Sequence, residues 1–150
     1  MRLARSPRRW PEVVSDFVLD VSITAAWLFT DEASSASKAL LRRLLQTKAV
    51  VPRLWHLETG NMLLVAERRG RITAGEVERI VDDLARLPIE TDSEAGREHQ
   101  AILRLARQHR LTTYDAAYLD LAIRRRLPLA TRDKDLQRAA KSAKIAVLEG

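Results

Sequence analysis

The chain has 150 residues, 46% of them hydrophobic and 31% charged, and this length predicts a single domain with a substantial core. It contains no cysteine, which excludes disulfide bonds and thiolate metal sites. No apolar run approaches the roughly 18 residues of a membrane span, and the N-terminus lacks a signal-peptide core, so we expect a cytoplasmic protein without a membrane partner. The net charge of +6 is compatible with a polyanionic partner such as nucleic acid.

The first 16 residues contain four arginines and two prolines without any helical or strand periodicity. This composition predicts a basic, flexible extension at 1–16, followed by one folded domain at 17–150.

The folded part opens with a strand that ends in an acid. Residues 17–19 are apolar, and Asp20 follows them directly before a helix over 22–29. A second helix is predicted over 34–45, and a second short strand over 49–51 is stopped by Pro52.

The next helix, over 53–69, carries a carboxylate within an apolar stripe. Leu54, Met62 and Val65 fall on one face by helical spacing. Glu58 lies between them, where an ionised side chain is costly unless it is paired, hydrogen-bonded or metal-bound. Taken alone, Glu58 is equally compatible with a locally satisfied structural role.

Thr73 and Glu76 form a capping box for a further helix, whose apolar residues are expected to face the core. A third strand is predicted at 87–89. The core-facing residues expected on this helix are Val77, Ile80, Val81 and Leu84.

Ser93 is predicted to cap a helix whose Ile102, Leu103 and Ala106 point inward. The three histidines do not complete a metal set in the sequence. We expect His99 and His109 on the surface, and His56 to be structural more often than functional although it lies near Glu58.

Residues 112–136 carry two more acids at neighbouring helix and strand ends. Thr112 is typical of a helix N-cap, and Asp115 falls in the first turn of that helix, which favours negative charge. Its core-facing stripe is expected to contain Tyr118, Leu119 and Ala122. A buried strand over 127–131 then leads to Asp133.

Asp120 points about 140° away from Asp115 by the 3.6-residue repeat and is expected to be a solvated surface charge paired with Arg124. A basic rim is expected around the acids of this segment. Its predicted members are Arg124, Arg125, Arg126, Arg132 and Lys134.

A last strand is predicted at 144–148, so that strands alternate with helices along the chain. This order predicts an α/β sandwich, with a central, mainly parallel sheet of four or five short strands flanked by helices. The carboxyl ends of parallel strands meet at one edge, which should bring together Asp20, Glu58, Asp115 and Asp133.

Four neighbouring carboxylates repel one another unless a cation compensates, and oxygen ligands without histidine or cysteine favour Mg²⁺ or Mn²⁺. Such an ion can orient a phosphodiester and activate water, so we hypothesise metal-dependent phosphoester hydrolysis.

The chain resembles the PIN-domain family, and within it the VapC-type toxin ribonucleases. The family's first acidic motif resembles FVLDVS, which carries Asp20 and Ser22. Its second motif resembles VPRLWHLETGNMLLVAERRGRI, with Glu58 as the acid and Asn61 one helical turn on.

The third and fourth motifs resemble TTYDAAYLDLAIRRRLPLATRDKDL, which supplies Asp115 and Asp133, with Thr131 near the site. No single motif is specific, but the four together in this order and spacing are. One departure is the N-terminal extension, because the family usually begins almost at its first strand.

The resemblance implies a PIN-like three-layer sandwich over 17–150 that acts as a Mg²⁺- or Mn²⁺-dependent endoribonuclease. It implies Asp20 and Asp115 as the main metal ligands, with Glu58 and Asp133 completing the catalytic set directly or through water. Water would then attack an RNA phosphodiester in line. The resemblance also implies a homodimer and the toxin of a toxin–antitoxin pair, whose antitoxin fills the groove.

Two other functions were weighed against this one. A haloacid-dehalogenase-like phosphatase needs a DxDxT motif, but DVSIT has Ser22 in place of the second aspartate. A non-catalytic module that binds nucleic acid or protein would keep the PIN-like fold and use its acids only as helix caps and partners of basic side chains. Capping explains Asp115 or Asp133 individually, but not Glu58.

Overall fold

The computed structural model describes residues 14–93 and 98–150, which form one five-stranded sheet flanked by helices. The strands are β1 (Phe17–Leu19), β2 (Ala49–Val51), β3 (Ile89–Thr91), β4 (Leu129–Ala130) and β5 (Val147–Leu148). The helices are α1 (Val21–Leu28), α2 (Ser35–Arg43), α3 (Leu54–Arg68), α4 (Ala74–Arg86), α5 (Glu98–His109), α6 (Thr113–Arg125) and α7 (Lys134–Ser142).

The sheet has the order β3-β2-β1-β4-β5, and all four strand pairings are parallel. β1 is central, with Val18 opposite both Val50 and Leu129. The predicted α/β fold with its parallel sheet is confirmed. The residue that follows β1 therefore lies in the middle of the carboxyl edge, where parallel sheets place their ligands.

The core explains why the central strands are apolar without alternation. Phe17, Val18 and Leu19 are completely buried, as are the residues of β2 and β4. A strand that is covered by helices on both faces gains nothing from polar positions, so an uninterrupted apolar run is the expected sequence.

The buried face of α3 differs from the predicted stripe. Trp55, Thr59, Leu63 and Ala66 are buried, and Trp55 donates an indole hydrogen bond to Thr24 in α1. The predicted Leu54, Met62 and Val65 are only half-buried. The helix is thus turned by about one residue, or roughly 100°, from the orientation that the apolar residues indicated.

The capping box of α4 is confirmed, because the Thr73 side chain accepts from the Glu76 backbone and Glu76 accepts from the Thr73 backbone. The prediction that its apolar residues face the core is confirmed for Leu84, which is half-buried and packs against the core, and is wrong for Val81. None of its residues is buried, and Val81 is 51% exposed. The helix lies at the margin of the domain and packs mainly on α3, so its apolar face is covered only in part.

The α5 helix packs on α6 through Ile102 and Ala106, as predicted, whereas Leu103 is 42% exposed and its predicted burial is wrong. His109 was expected on the surface but is buried, and its backbone carbonyl accepts a hydrogen bond from Arg138. The predicted start of α5 at Ser93 adjoins residues outside the described part of the chain.

Residues 1–13 of the predicted extension also lie outside the described residues. Two residues just before β1 contact the fold. Arg43 donates to the Ser15 carbonyl, and the Asp16 carboxylate accepts from the Lys48 backbone. Within the described ranges, no helix combines the length and apolar composition needed to cross a bilayer.

Candidate active site

Asp20 lies at the centre of the carboxyl edge of the sheet. Its backbone is extended, continues β1 and donates to the carbonyl of Ala130 in the neighbouring strand. The side chain is only 4% exposed and does not cap α1, the helix that follows it. A buried carboxylate needs hydrogen-bond donors, and the structure supplies them from side chains.

Two hydroxyl groups hold the Asp20 carboxylate. Ser22 donates to Oδ2 at 2.6 Å, and Thr131 donates to the same oxygen at 2.8 Å. Thr131 is fully buried, and its backbone carbonyl accepts a hydrogen bond from the Gln137 side chain, which fixes its position. The two hydroxyls therefore set the orientation of Asp20.

Thr131 also connects Asp20 to Asp133. The Asp133 backbone N–H donates to the Thr131 hydroxyl at 3.0 Å. Asp133 is exposed and caps α7, because its Oδ1 accepts from the Leu136 backbone at 2.9 Å. The structural role considered for this acid is therefore present, and it occupies one of the two carboxylate oxygens.

Glu58 is half-buried and is held from the opposite side of the site. The Tyr118 hydroxyl donates to Glu58 Oε1 at 2.7 Å, which joins α3 to α6. Tyr118 is completely buried and lies one turn after Asp115 on α6. The hydrogen bond gives the half-buried Glu58 a specific partner within the site.

Asp115 does not act as the cap of its own helix. Thr112 caps α6, because its hydroxyl oxygen accepts from the Asp115 backbone at 3.1 Å. The Asp115 side chain is therefore not used as the cap of α6, and it is half-buried.

Burial and mutual repulsion perturb the pKa values of these acids. Burial, and after it the charges of Asp133, Asp20 and Glu58, raise the pKa of Asp115 to about 6. Burial also raises the pKa of Glu58, assisted by the charge of Asp20 and opposed by the Tyr118 hydrogen bond. The pKa of Asp20 is raised by burial despite its hydroxyl partners. The four predicted acids thus interact electrostatically at one edge of the sheet.

The four acids suit a hard divalent cation that keeps several of its own water ligands. Within the described residues, no three Asp, Glu or His side chains approach closely enough to enclose a metal ion by themselves. Mg²⁺ commonly uses one or two carboxylates and keeps several waters, so a looser arrangement of carboxylates suits it. The pKa of about 6 for Asp115 also indicates uncompensated negative charge that a cation would relieve.

A second charged cluster lies between β3 and α6. Asp92 accepts from Arg124 at 2.7 Å and from Arg125 at 2.9 Å, and Asp120 accepts from Arg124 at 2.8 Å. The predicted Asp120–Arg124 pair is confirmed, but the prediction of a solvated surface charge is wrong. Asp120 is only 9% exposed, because Arg124 and the adjoining helix cover it. Burial would raise the pKa of Asp92, but its two arginine partners lower it below the ordinary value.

The ion pairs of this cluster remove two arginines from the predicted basic rim. Arg124 and Arg125 are engaged by acids, and Arg124 lies roughly 13 Å along the helix axis from Asp115. Arg132 donates to the Glu32 backbone carbonyl, while Lys134 is exposed beside Asp133. The prediction of a five-residue rim around the acids is therefore wrong for Arg124 and Arg125.

Two residues of this region were not singled out as polar groups in the sequence. The Tyr118 hydroxyl could have been recognised, because it falls one turn after Asp115 on the same face. Asp92 follows β3 as Asp20 follows β1, so its position at a strand end was an available signal. Its ion pairs with α6 depend on residues distant in the chain, so no local sequence pattern predicts them.

Two other residues close to Glu58 in the sequence form no hydrogen bond with the acids within the described part of the chain. His56 is exposed and its Nε2 is 2.8 Å from the Thr91 hydroxyl, which links α3 to β3. This contact gives His56 a structural role, as predicted from the sequence. Asn61 is exposed on α3.

Comparison with known proteins agrees with this architecture. PAE2754 from Pyrobaculum aerophilum is similar at 23% identity with a TM-score of 0.65, over 91% of this chain and 84% of that one. VapBC2 from Rickettsia felis, bound to a DNA fragment from its promoter, is similar at 11% identity with a TM-score of 0.64, over 89% and 98% of the two chains. FitAcB from Neisseria gonorrhoeae is similar at 14% identity with a TM-score of 0.59, over 88% and 96%.

These identities are low and show a shared fold. No curated protein matches the sequence. The model of the PIN domain matches residues 17–142, which include all four acids and every strand except β5. This chain therefore belongs to the PIN domain family.

Proposed function

We propose that this protein is a divalent-metal-dependent endoribonuclease and the toxin of a toxin–antitoxin pair. The observation that carries the proposal is the placement of four carboxylates at one sheet edge, where Ser22 and Thr131 hold Asp20 and Tyr118 holds Glu58, and where burial together with the charges of the other three acids raises the pKa of Asp115 to about 6. Negative charge concentrated in this way is unfavourable for folding, and it suits a site that binds a cation during function.

The four acids would have two different roles in the proposed site. Asp20 and Asp115 would supply the direct ligands of Mg²⁺ or Mn²⁺, because Asp20 is oriented by two hydroxyls and Asp115 is not used as a cap. Glu58, fixed by Tyr118, and the exposed Asp133 would hold and orient water around the cation. The hydrogen bonds of Asp20 and Glu58 and the exposure of Asp133 support this assignment.

A hard cation bound by these acids would offset charge on the phosphodiester and lower the pKa of the attacking water. The exposed Lys134, next to Asp133, would interact with the RNA backbone at the edge of the site. The hydroxyls of Ser22 and Thr131 would keep Asp20 in place without contacting the RNA.

The proposed partners draw on the structural neighbours. One of them is a toxin–antitoxin complex from Klebsiella pneumoniae, similar at 18% identity with a TM-score of 0.58 over 79% of this chain and 88% of that one. An antitoxin, and a second copy in a homodimer, would need apolar surface. Leu57 and Val81 on the α3–α4 hairpin are 78% and 51% exposed and offer such a surface. We place the activity in the cytoplasm, where such a toxin would meet its RNA.

A non-catalytic binding module remains the second candidate, because Asp133 does act as a helix cap. This function needs no metal and no chemistry at Asp20. The two candidates therefore differ in what a substitution at Asp20 should do.

Replacing Asp20 with Asn should abolish Mg²⁺- or Mn²⁺-dependent cleavage of RNA. The amide keeps the shape and still accepts hydrogen bonds from Ser22 and Thr131, but it removes one of several repelling charges. Thermal unfolding of the metal-free protein should therefore be unchanged or shift upward. The measurement is cleavage of total cellular RNA, mapped by sequencing of the ends, beside a thermal melt.

Asp135→Asn is the matched control, because Asp135 lies two residues after Asp133 but is paired only at 3.7 Å with Arg138 and does not cap α7. It should retain wild-type cleavage. Equal cleavage by wild type and Asp20→Asn, or none by the wild type with either metal, would count for the binding module.

A further inference from the structure

A cavity of about 510 Å³ runs along one face of α6, bordered also by α5 and by the segment after β2. The helix contributes Tyr114, Ala117, Asp120 and Arg124, which share one face by their three- and four-residue spacing. Tyr114 immediately precedes Asp115, so the cavity begins beside the acids of the proposed active site. Its volume lies within the range of small-ligand sites.

The part of the cavity nearest the acids is apolar and aromatic. Leu54 and Ala117 line it, and Leu54 lies one helical turn before Glu58 on α3. Tyr114 stands at the same end with 64% of its surface exposed. An exposed aromatic ring beside apolar walls is the arrangement on which unpaired nucleobases stack.

The opposite end of the cavity is charged and buried. Asp92, Asp120 and Arg124 line it, and their side chains are 7%, 13% and 16% exposed. Arg124 binds Asp120 through Oδ2, and among residues 14–93 and 98–150 no donor reaches Asp120 Oδ1. An ionised carboxylate accepts hydrogen bonds only, so this oxygen suits an amino group.

We infer that this cavity binds one unpaired nucleobase of the RNA, next to the phosphodiester at the acidic site. The base stacks on Tyr114, and its exocyclic amino group donates to Asp120 Oδ1. Adenine, cytosine and guanine carry such a group, whereas uracil has no amino group and its N3–H is flanked by two carbonyl oxygens that a carboxylate repels. This assignment rests on the proposed function, since the RNA substrate supplies the ligand.

The charges around the cavity favour a nucleotide over an apolar side chain. An apolar group pushed against Asp120 would leave a carboxylate oxygen buried without a donor, which is costly. Arg53 is exposed at the rim and forms no ion pair with another described residue, so it is available to a neighbouring phosphate. The base would contact Tyr114 and Asp120, and the neighbouring phosphate would contact Arg53.

The test measures RNA binding without cleavage, in EDTA, with short fluorescent oligonucleotides in which each base in turn is replaced by an abasic site. For wild type, one abasic position should weaken binding about ten-fold, the loss expected for a stacked base. Tyr114→Ala should lose about ten-fold with intact RNA and nothing further at that abasic position. Tyr114→Phe should behave as wild type because the ring is kept.

Base preference gives a second measurement. Uracil at the sensitive position should bind about ten-fold more weakly than cytosine in wild type, and Asp120→Asn should reduce this difference. Leu45→Ala is the matched surface control, because Leu45 is 86% exposed and follows α2, away from the cavity. It should leave both profiles unchanged.

Equal binding by Tyr114→Ala and wild type, a flat abasic profile, or no RNA binding by the wild type would each overturn the inference. Sedimentation identifies the competing occupant, a second copy of the chain. A dimer that dissociates on Tyr114→Ala with an unchanged abasic profile would assign the cavity to that contact. Cleavage with a flat profile would overturn only the base site, whereas an abasic-sensitive profile without cleavage would overturn only the nuclease.

Discussion

At the scale of single residues, the site depends on how one carboxylate is held. Asp20 is buried, and Ser22 and Thr131 both donate to its Oδ2. Second-layer hydrogen bonds of this kind orient metal ligands and strengthen their binding. In the proposed site, the buried hydroxyl of Thr131 would therefore influence metal binding without contacting the RNA.

Replacing Thr131 with Val keeps the shape of the side chain but removes the hydroxyl. We expect Mn²⁺ affinity, measured by calorimetry, and RNA cleavage each to fall about 10- to 100-fold, because Asp20 loses one of its two orienting donors. Thr131→Ser, which keeps the hydroxyl, should recover most of both. Wild-type Mn²⁺ affinity in Thr131→Val would show that this hydrogen bond does not position Asp20.

At the scale of elements, α6 contributes to the acidic site with its first turns and binds the segment after β3 with its last turns. Its first turn carries Asp115, its middle carries Tyr118 against Glu58, and its last turns bind Asp92 beyond β3. The ion pairs of Asp92 join a strand at the sheet edge to the helix that carries the acids. The helix register is thereby fixed by contacts at both ends.

Replacing Asp92 with Asn should lower the free energy of unfolding by about 1–3 kcal/mol, because the buried Asp92 is the charged acceptor of two arginines. The pKa of Asp92 is lowered in the fold, so its contribution is present above the ordinary aspartate value and is lost as the pH falls through its folded pKa. Urea denaturation at pH 7 and along an acid titration measures both effects.

Asp31→Asn provides the comparison, because Asp31 also pairs with an arginine at 2.9 Å but both side chains are exposed. Exposed pairs contribute little, so its unfolding free energy should change by less than about 1 kcal/mol. Equal effects at the two positions would mean that burial of the Asp92 pairs does not matter.

At the scale of the whole molecule, we expect the acid cluster to make stability depend on pH and, in the proposed function, on metal. Burial and three neighbouring carboxylates raise the pKa of Asp115 to about 6. A raised acid pKa means that the fold holds a proton which the unfolded chain releases, so this stabilisation is present below the unfolded value and is lost as the pH rises through about 6.

We therefore expect the metal-free protein to lose stability between about pH 4 and pH 6 through Asp115. Asp115→Asn should raise its stability above pH 6 by about 1 kcal/mol, a value reduced for solvent screening of a half-exposed group, and change little below pH 4. Thermal melts across this range measure the effect. Added Mn²⁺ should stabilise wild type more than Asp115→Asn, and equal stabilisation would remove Asp115 from the proposed metal ligands.

The sequence by itself determined the order of elements, the parallel sheet and the positions of the strand-end acids. These features are local, since apolar runs, caps and turn residues act over a few neighbouring positions. Phe17–Leu19 and Ala49–Val51 occur as strands with the predicted bounds, and Thr112 and Thr73 cap the predicted helices. The shared carboxyl edge of parallel strands predicted that the four acids converge, and the likeness of four motifs to one family added their proposed roles.

Only the tertiary structure decided what each acid contacts. Asp120 and Asp115 lie five positions apart on one helix, yet Asp120 is buried against Arg124 while Asp115 faces other carboxylates. The rotation of α3, the exposure of Val81 and the pairing of Tyr118 with Glu58 were likewise not determined locally. Burial and pairing depend on residues up to about a hundred positions away, such as Thr131 for Asp20, and a local pattern carries no information about partners at that distance.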